Sequence, residues 1–215
     1  MEPREIRPGL FHWTAAHPKI RIEVSSYWLA DARVLLDPLL PTGGLDWLRE
    51  VGPPEQVILT NRHHWRHCSE IGDAFDCPMW CNELGLHELD GEAGRERVRG
   101  FRAGEVLPGG IESHDVGALC PDETALRFDL AGGGACLAIA DGVVRIGEEA
   151  RGDGPLAFVP DSLIADEPAQ VEAVKRGLRE AYRRLCDLEW DTLILAHGLP
   201  LVGDGKEKLR AFAGG

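Results

Sequence analysis

The sequence predicts an α/β fold of stacked layers, and three features point to it. The first third alternates apolar and polar residues like paired strands. A strand–helix–strand unit then ends in the short, continuous apolar run "QVILT", of the kind buried on both faces in a parallel sheet. The second half repeats the pattern, with several strand-like segments, one long amphipathic helix and a last buried strand.

In chain order, "KIRIEVSSYWLA" and "ARVLLDPLL" are apolar at every second residue and are separated at Asp31-Ala32, which predicts a strand pair. In "PTGGLDWLREVG", Leu45, Leu48 and Val51 share one helical face, and Gly52 with Pro53-Pro54 stops the helix. "QVILT" follows as a strand, and "PMWC" as a short one. "LDGEAGRERVRGFRAGE" is polar and reads as surface loop or helix. Strands return with "EVLPGGIESHDV", "TALRFDL" and "CLAIADGVV", the last two joined by the hairpin "AGGGA". Residues 147–166 form a long connection that reads as a loop or flap over the cleft. From Pro168, Val171, Val174, Leu178, Tyr182 and Leu185 keep helical spacing, with Asp166 as the expected cap. "DTLILAHG" is a last buried strand and "DGKEKLRAF" a closing helix. No internal linker or repeat interrupts residues 1–215, so a single domain is expected.

A net charge of −13 with dispersed acids argues against nucleic acid as a partner, which would require a basic face. No stretch is apolar and long enough to cross a bilayer, and "MEPREIRPGLFHW" lacks the hydrophobic run of a signal peptide. A cytoplasmic protein without a membrane partner is the expectation; the oligomeric state is open. The six cysteines are too dispersed for a disulfide framework, and the close pair Cys77/Cys81 lacks the second pair of a zinc knuckle.

Chemistry concentrates in "NRHHWRHCSE", where three histidines and two arginines follow a strand. His114, Asp141 and His197 stand at the ends of three further strand patterns. His and carboxylate together are the ligand set of zinc, iron or manganese. His12, His17 and His87 are weaker candidates, and Trp65 is either a pocket wall or a packing residue.

In order and spacing these segments resemble the metallo-β-lactamase superfamily. "VLLDPLLP" is similar to its strand-end "lIDpG" turn, "ILTNRHHWRH" to its HxHxDH motif, and "HDVGALCPDETALRF" to its third-histidine segment. "LAIADGVV" is similar to the strand carrying its bridging aspartate, and "LILAHGLP" to its last-histidine motif. The resemblance covers nearly the whole chain and implies a four-layer αββα sandwich with a metal site at one edge between the sheets.

The first motif departs from that pattern. Counted from Thr60, the ligand positions hold Asn61, His63, Trp65 and Arg66; slipped by one residue, they hold Arg62, His64, Arg66 and His67. Both frames remain open on the sequence. An arginine cannot ligate, so Arg66 in the aspartate's place would pair with Asp141 and exclude a second metal. The resemblance then implies an altered site with one divalent metal (zinc, iron or manganese) held by some of His63, His64, His67, His114, Asp141 and His197. Asp141 and Arg66 would be its catalytic side chains, Arg66 stabilising an oxyanion. The implied reaction is hydrolysis of an ester, lactone or thioester in a small-molecule substrate. The competing reading is a metal-free, non-catalytic protein that binds an anionic ligand or partner in the same cleft. Asp37, before Pro38, is expected to serve the turn behind the site and not to ligate.

Overall fold

In the computed structural model, residues 1–147 and 152–215 are described. Among the described residues, twelve strands fall into two sheets. The first sheet orders β1 (Arg4–Arg7), β2 (Leu10–Ala16), β3 (Glu23–Leu29), β4 (Val34–Leu36), β5 (Gln56–Ile58), β6 (Met79–Asn82) and β7 (Val98–Phe101) as neighbours in sequence order. Pairing is antiparallel from β1 to β4 and parallel from β4 to β7. The second sheet contains β8 (Val106–Leu107), β9 (Ile111–Asp115), β10 (Thr124–Asp129), β11 (Ala135–Ile139) and β12 (Thr192–Leu195), in the order β12-β11-β10-β9-β8. Only β11–β12 is parallel there.

The alternation of these strands divides the core into three. Leu10, Tyr27, Leu36 and Ile58 of the first sheet meet Ile111, Leu126, Phe128 and Ile194 of the second, making the inter-sheet layer. The other face of the first sheet packs on α1 (Gly44–Val51) and α2 (Cys68–Phe75), through Leu48, Cys68 and Ile71. The other face of the second sheet packs on α3 (Pro168–Leu185) and α4 (Gly205–Gly214), through Leu178, Tyr182 and Leu209. The result is helix, sheet, sheet, helix, the expected αββα sandwich.

Three expectations need correction. "RERVRGFRA" contains β7, an edge strand with Arg99 and Gly100 exposed, so it carried no apolar alternation to read. The cap of α3 is Glu167 and not Asp166, and it makes no side-chain cap bond. Within the supposed flap, Gly152 O accepts Leu199 N beside the His197 loop, Leu156 and Phe158 pack on the helix layer, and none of residues 152–166 lines the cleft. The Phe158 ring lies 4.7 Å from that of Phe212 of α4, tilted against it, and beneath Arg179 of α3 at 4.9 Å. Residues 148–151 of that segment lie outside the described residues.

The sheets are stitched together at one edge. Tyr27 Oη donates to Leu195 O at 2.8 Å and accepts from Leu195 N at 3.1 Å. Ser25 N donates to Ala196 O, and Thr124 N to Thr60 O. These bonds tie β3 and the end of β5 in the first sheet to β12 and the start of β10 in the second.

A candidate metal centre at the sheet edge

Past β5 the chain turns through a single 3₁₀ segment, Arg62–His64, with Asn61 as its cap. Asn61 Oδ1 accepts from His63 N at 2.8 Å, and His64 N closes the turn on Asn61 O at 3.0 Å. In a 3₁₀ turn residues i and i+3 lie on one side, so Asn61 and His64 face the same way. Both reach Asp141: His64 Nε2 lies 3.2 Å from Oδ1, and Asn61 Nδ2 donates to Oδ2 at 3.4 Å. Neither sequence frame survives intact, because each assumed ligands two residues apart.

Asp141 follows β11, and its neighbour Gly142 is fixed by an N–H donated to Glu123 Oε1 at 2.9 Å. His197 follows β12, in a loop tied down on both sides. Arg145 N donates to His197 O at 2.9 Å, and Ser25 Oγ donates to Gly198 O at 3.0 Å. Gly198 is required there: its φ is +114°, and a Cβ would lie 2.5 Å from Arg145 O. His197 Nε2 comes within 3.1 Å of Asp141 Oδ1, the same oxygen that His64 approaches. The ligating atoms of His64, Asp141 and His197 all lie within 4.8 Å of one another.

Asp37 does more than serve a turn. It sits at a positive φ of 46° and is 4% exposed. Its carboxylate accepts Thr60 N at 2.9 Å and Thr60 Oγ1 at 2.6 Å, as expected of a structural acid. It also lies 3.0 Å from His64 Nδ1, so it orients the ring whose other nitrogen meets Asp141. Burial opposes charge on the 3%-exposed His64, but Asp37 and Asp141 outweigh it and raise its pKa to about 9. Burial likewise opposes the charge of Asp141, and His64 and His197 overcome it, holding that carboxyl well below its usual range.

The remaining candidates are placed differently. Arg66 lines the same cleft, but its Nη1 donates to the backbone carbonyls of Ser25 at 2.8 Å and Asp37 at 2.5 Å. Among the described residues it makes no ion pair, so the expected contact with Asp141 is absent; its φ of 41° turns the side chain towards those carbonyls. His63 is exposed on the cleft rim, and His67 lines the cleft with Nδ1 accepting Leu40 N at 3.0 Å. Neither belongs to the convergent trio. His114 is a clear correction. It stands opposite Ala125 in the β9–β10 register, and Ala125 belongs to the core against α3 and α4. Directly opposed residues share a face, so His114 is on the helix side of its sheet, 3.5 Å from Glu112, and away from the cleft.

The sequence reading passed over Asn61 as a working side chain, Asp37 as the partner of His64, and Lys19 and Glu92 on the cleft wall. His12 is buried behind Ser25, stacked 5.0 Å from Tyr27, while His87 is on the surface beside Glu88. Trp65 lines the cleft and packs into the first-sheet core. The cleft has a volume of about 440 Å³, the size of a small-molecule site. None of the described helices is long and apolar enough to cross a membrane.

By sequence the chain matches no family profile and no curated protein. By structure it is similar to a B3 metallo-β-lactamase with an active-site glutamic acid, at 17% identity and a TM-score of 0.67, over 100% of this chain and 86% of that one. The metallo-β-lactamase SMB-1, bound to 2-mercaptoethanesulfonate, aligns at 14% identity and a TM-score of 0.63, over 92% and 80%. A flavoprotein from Thermotoga maritima aligns at 16% identity and a TM-score of 0.65, over 98% of this chain and 60% of that one. At these identities the likeness concerns architecture, and it agrees with the layers and sheet edge described above: the chain has the metallo-β-lactamase fold.

Proposed function

We propose that the protein is a hydrolase using one divalent metal held by His64, Asp141 and His197. The observation that carries this is the convergence of two imidazoles on one carboxylate, with Asp37 behind one of the rings. Two histidines and a carboxylate are a catalytic zinc set that leaves a fourth position open. Metal bonds of about 2.0–2.1 Å in a tetrahedral site put ligand atoms roughly 3.3 Å apart. The separations of 3.2 and 3.1 Å across Asp141 Oδ1 fit that spacing. The Asp37–His64 pair supplies the outer carboxylate that commonly fixes a ligating imidazole.

When bound, the metal would supply a water acidic enough to be deprotonated near neutral pH, the nucleophile for an ester, lactone or thioester carbonyl. The chain's own part is orientation. Asp37 holds the His64 ring, the Arg145 and Ser25 bonds hold the His197 loop, and the Asn61 amide steadies the second oxygen of Asp141. One metal is favoured over two because Arg66 places a cation in the same cleft and His114 lies outside it. A metal-free binding protein is the second reading. It is favoured by His64 having an acid on each nitrogen, a network that closes with a proton alone.

Metal content separates the two. Protein purified without chelator should carry about one equivalent of zinc, iron or manganese per chain, and Asp141→Asn should carry none while remaining folded by circular dichroism. Absence of metal from the wild-type chain after growth in supplemented medium would leave the binding reading.

A further inference from the structure

Besides the His64–Asp141–His197 corner, the cleft is lined by hydrogen-bond donors. His17, Lys19 and His67 all line it, the first two at the tip of the β2–β3 hairpin. His67 Nδ1 accepts the N–H of Leu40 at 3.0 Å. His17 Nδ1 accepts the N–H groups of Lys19 at 3.3 Å and Ile20 at 3.4 Å. A ring nitrogen that accepts a backbone N–H cannot carry a proton, so each ring keeps its proton on Nε2 and has a donor to offer. Lys19 adds an exposed ammonium, and the Arg66 guanidinium lies in the same cleft. Against these, the lining includes two acids, Asp141 and Glu92, and Asp141 is already engaged by His64 and His197. In a chain with 36 acidic and 23 basic residues the cleft thus departs from the surface at large: its lining balances Lys19 and Arg66 against Asp141 and Glu92 and adds five histidines. His17 registers that field: burial first, then Arg66, Lys19, His64 and His197, hold its pKa below the ordinary value.

We infer that the substrate carries an anionic group, a carboxylate or a phosphate, which docks on His17, Lys19 and His67 while its scissile bond faces the His64–Asp141–His197 corner. This rests on the hydrolase reading and adds to it the class of molecule. Backbone-fixed tautomers suit the task, since donors that need no reorientation lose less on binding. The adjoining side chains of Ile20, Val24 and Leu39 leave room for an apolar portion beside the anion.

The test uses the full chain stripped of metal, at physiological ionic strength, titrated with inorganic phosphate and separately with acetate. One anion or both should bind saturably, and the tighter of the two assigns the group. Lys19→Glu, on the exposed hairpin tip, should weaken that binding about tenfold or more, as loss of a charge-assisted contact does. His67→Phe should weaken it similarly. Both variants should still take up one zinc per chain. No saturable binding of either anion, or equal affinity in wild type and Lys19→Glu, would overturn the inference. Zinc uptake without anion binding refutes this inference and leaves the hydrolase reading standing. Anion binding without zinc uptake refutes the hydrolase reading, and with it the scissile bond, and leaves only an anion-binding cleft.

Discussion

The inner and outer walls of the cleft are both lined by histidine, and they hold it in different states. On the inner wall, His64 and His197 close on one oxygen of Asp141, and Asp37 takes the far nitrogen of His64. On the outer wall, His17 and His67 accept backbone N–H groups and, among the described residues, have no acid partner. For His64, His17 and His67, the group on one ring nitrogen sets what the other can do. A carboxylate there makes the imidazole a stronger ligand for a cation, whereas a backbone N–H leaves it a neutral donor. On the proposed reading, the same residue type would serve a metal on one side and an anion on the other.

The inner wall breaks most severely at Asp37. Asp37→Ala leaves the Thr60 N–H, the Thr60 hydroxyl and His64 Nδ1 without their buried acceptor. Removing one partner of a buried ion pair costs about 3–5 kcal/mol, so urea unfolding should shift by that order. Loss of an outer carboxylate lowers metal affinity roughly 10–100-fold, and a competition titration of zinc against a chelating dye should show it. Unchanged zinc affinity in a folded Asp37→Ala chain would mean that Asp37 serves the turn alone.

A carboxyl group further behind the inner wall behaves in the opposite sense. Glu123 is fully buried, accepts one bond from Gly142 N and, among the described residues, has no partner on Oε2. Burial, only partly offset by that bond, raises its pKa from an ordinary 4.5 to about 8. Between those values the unfolded chain ionises and the folded chain does not, so stability contributed by this group is present below pH 4.5 and lost as pH rises through about 8. Glu123→Gln keeps the shape without the ionisation. It should be more stable than wild type at alkaline pH, by up to roughly 5 kcal/mol, and no more stable at pH 4. Equal pH profiles for the two proteins would show that Glu123 is ionised in the fold.

How far the sequence reached follows from which features depend on neighbours in space. The layers were legible because β3, β5, β10, β11 and α3 advertise their periods locally. Asp141 and His197 were legible because each ends an unmistakable strand. His63 and His64 could not be separated, since the choice depends on a 3₁₀ turn capped by Asn61 that shifts the facing by one position. His114 was misassigned because the face of a strand residue is set by register, and one residue of difference reverses it. Lys19 lay hidden because the hairpin tip reaches the cleft only once β2 and β3 are paired.

Arg66 lies where the two walls meet, and it tests whether they are independent. Its guanidinium runs to the carbonyls of Ser25 and Asp37, one on the strand leading from the hairpin and one behind His64. Arg66→Met removes a charged donor from two carbonyls, a loss of about 1–3 kcal/mol in stability. Because the cation makes no ion pair with Asp141, zinc content should remain one per chain. Phosphate affinity should fall modestly, as the long-range field weakens while the donors of His17, Lys19 and His67 remain. Arg66→Asp is the harder trial, for it adds a carboxylate to the cleft. With its backbone at a positive φ of 41° and the side chain directed at those two carbonyls, the new acid should not join the trio, and metal content should again stay at one. A second equivalent of zinc in Arg66→Asp, measured against wild type in folded protein, would show that the arginine alone keeps the other half of the cleft free of metal, and the separation of a metal wall from an anion wall would no longer hold.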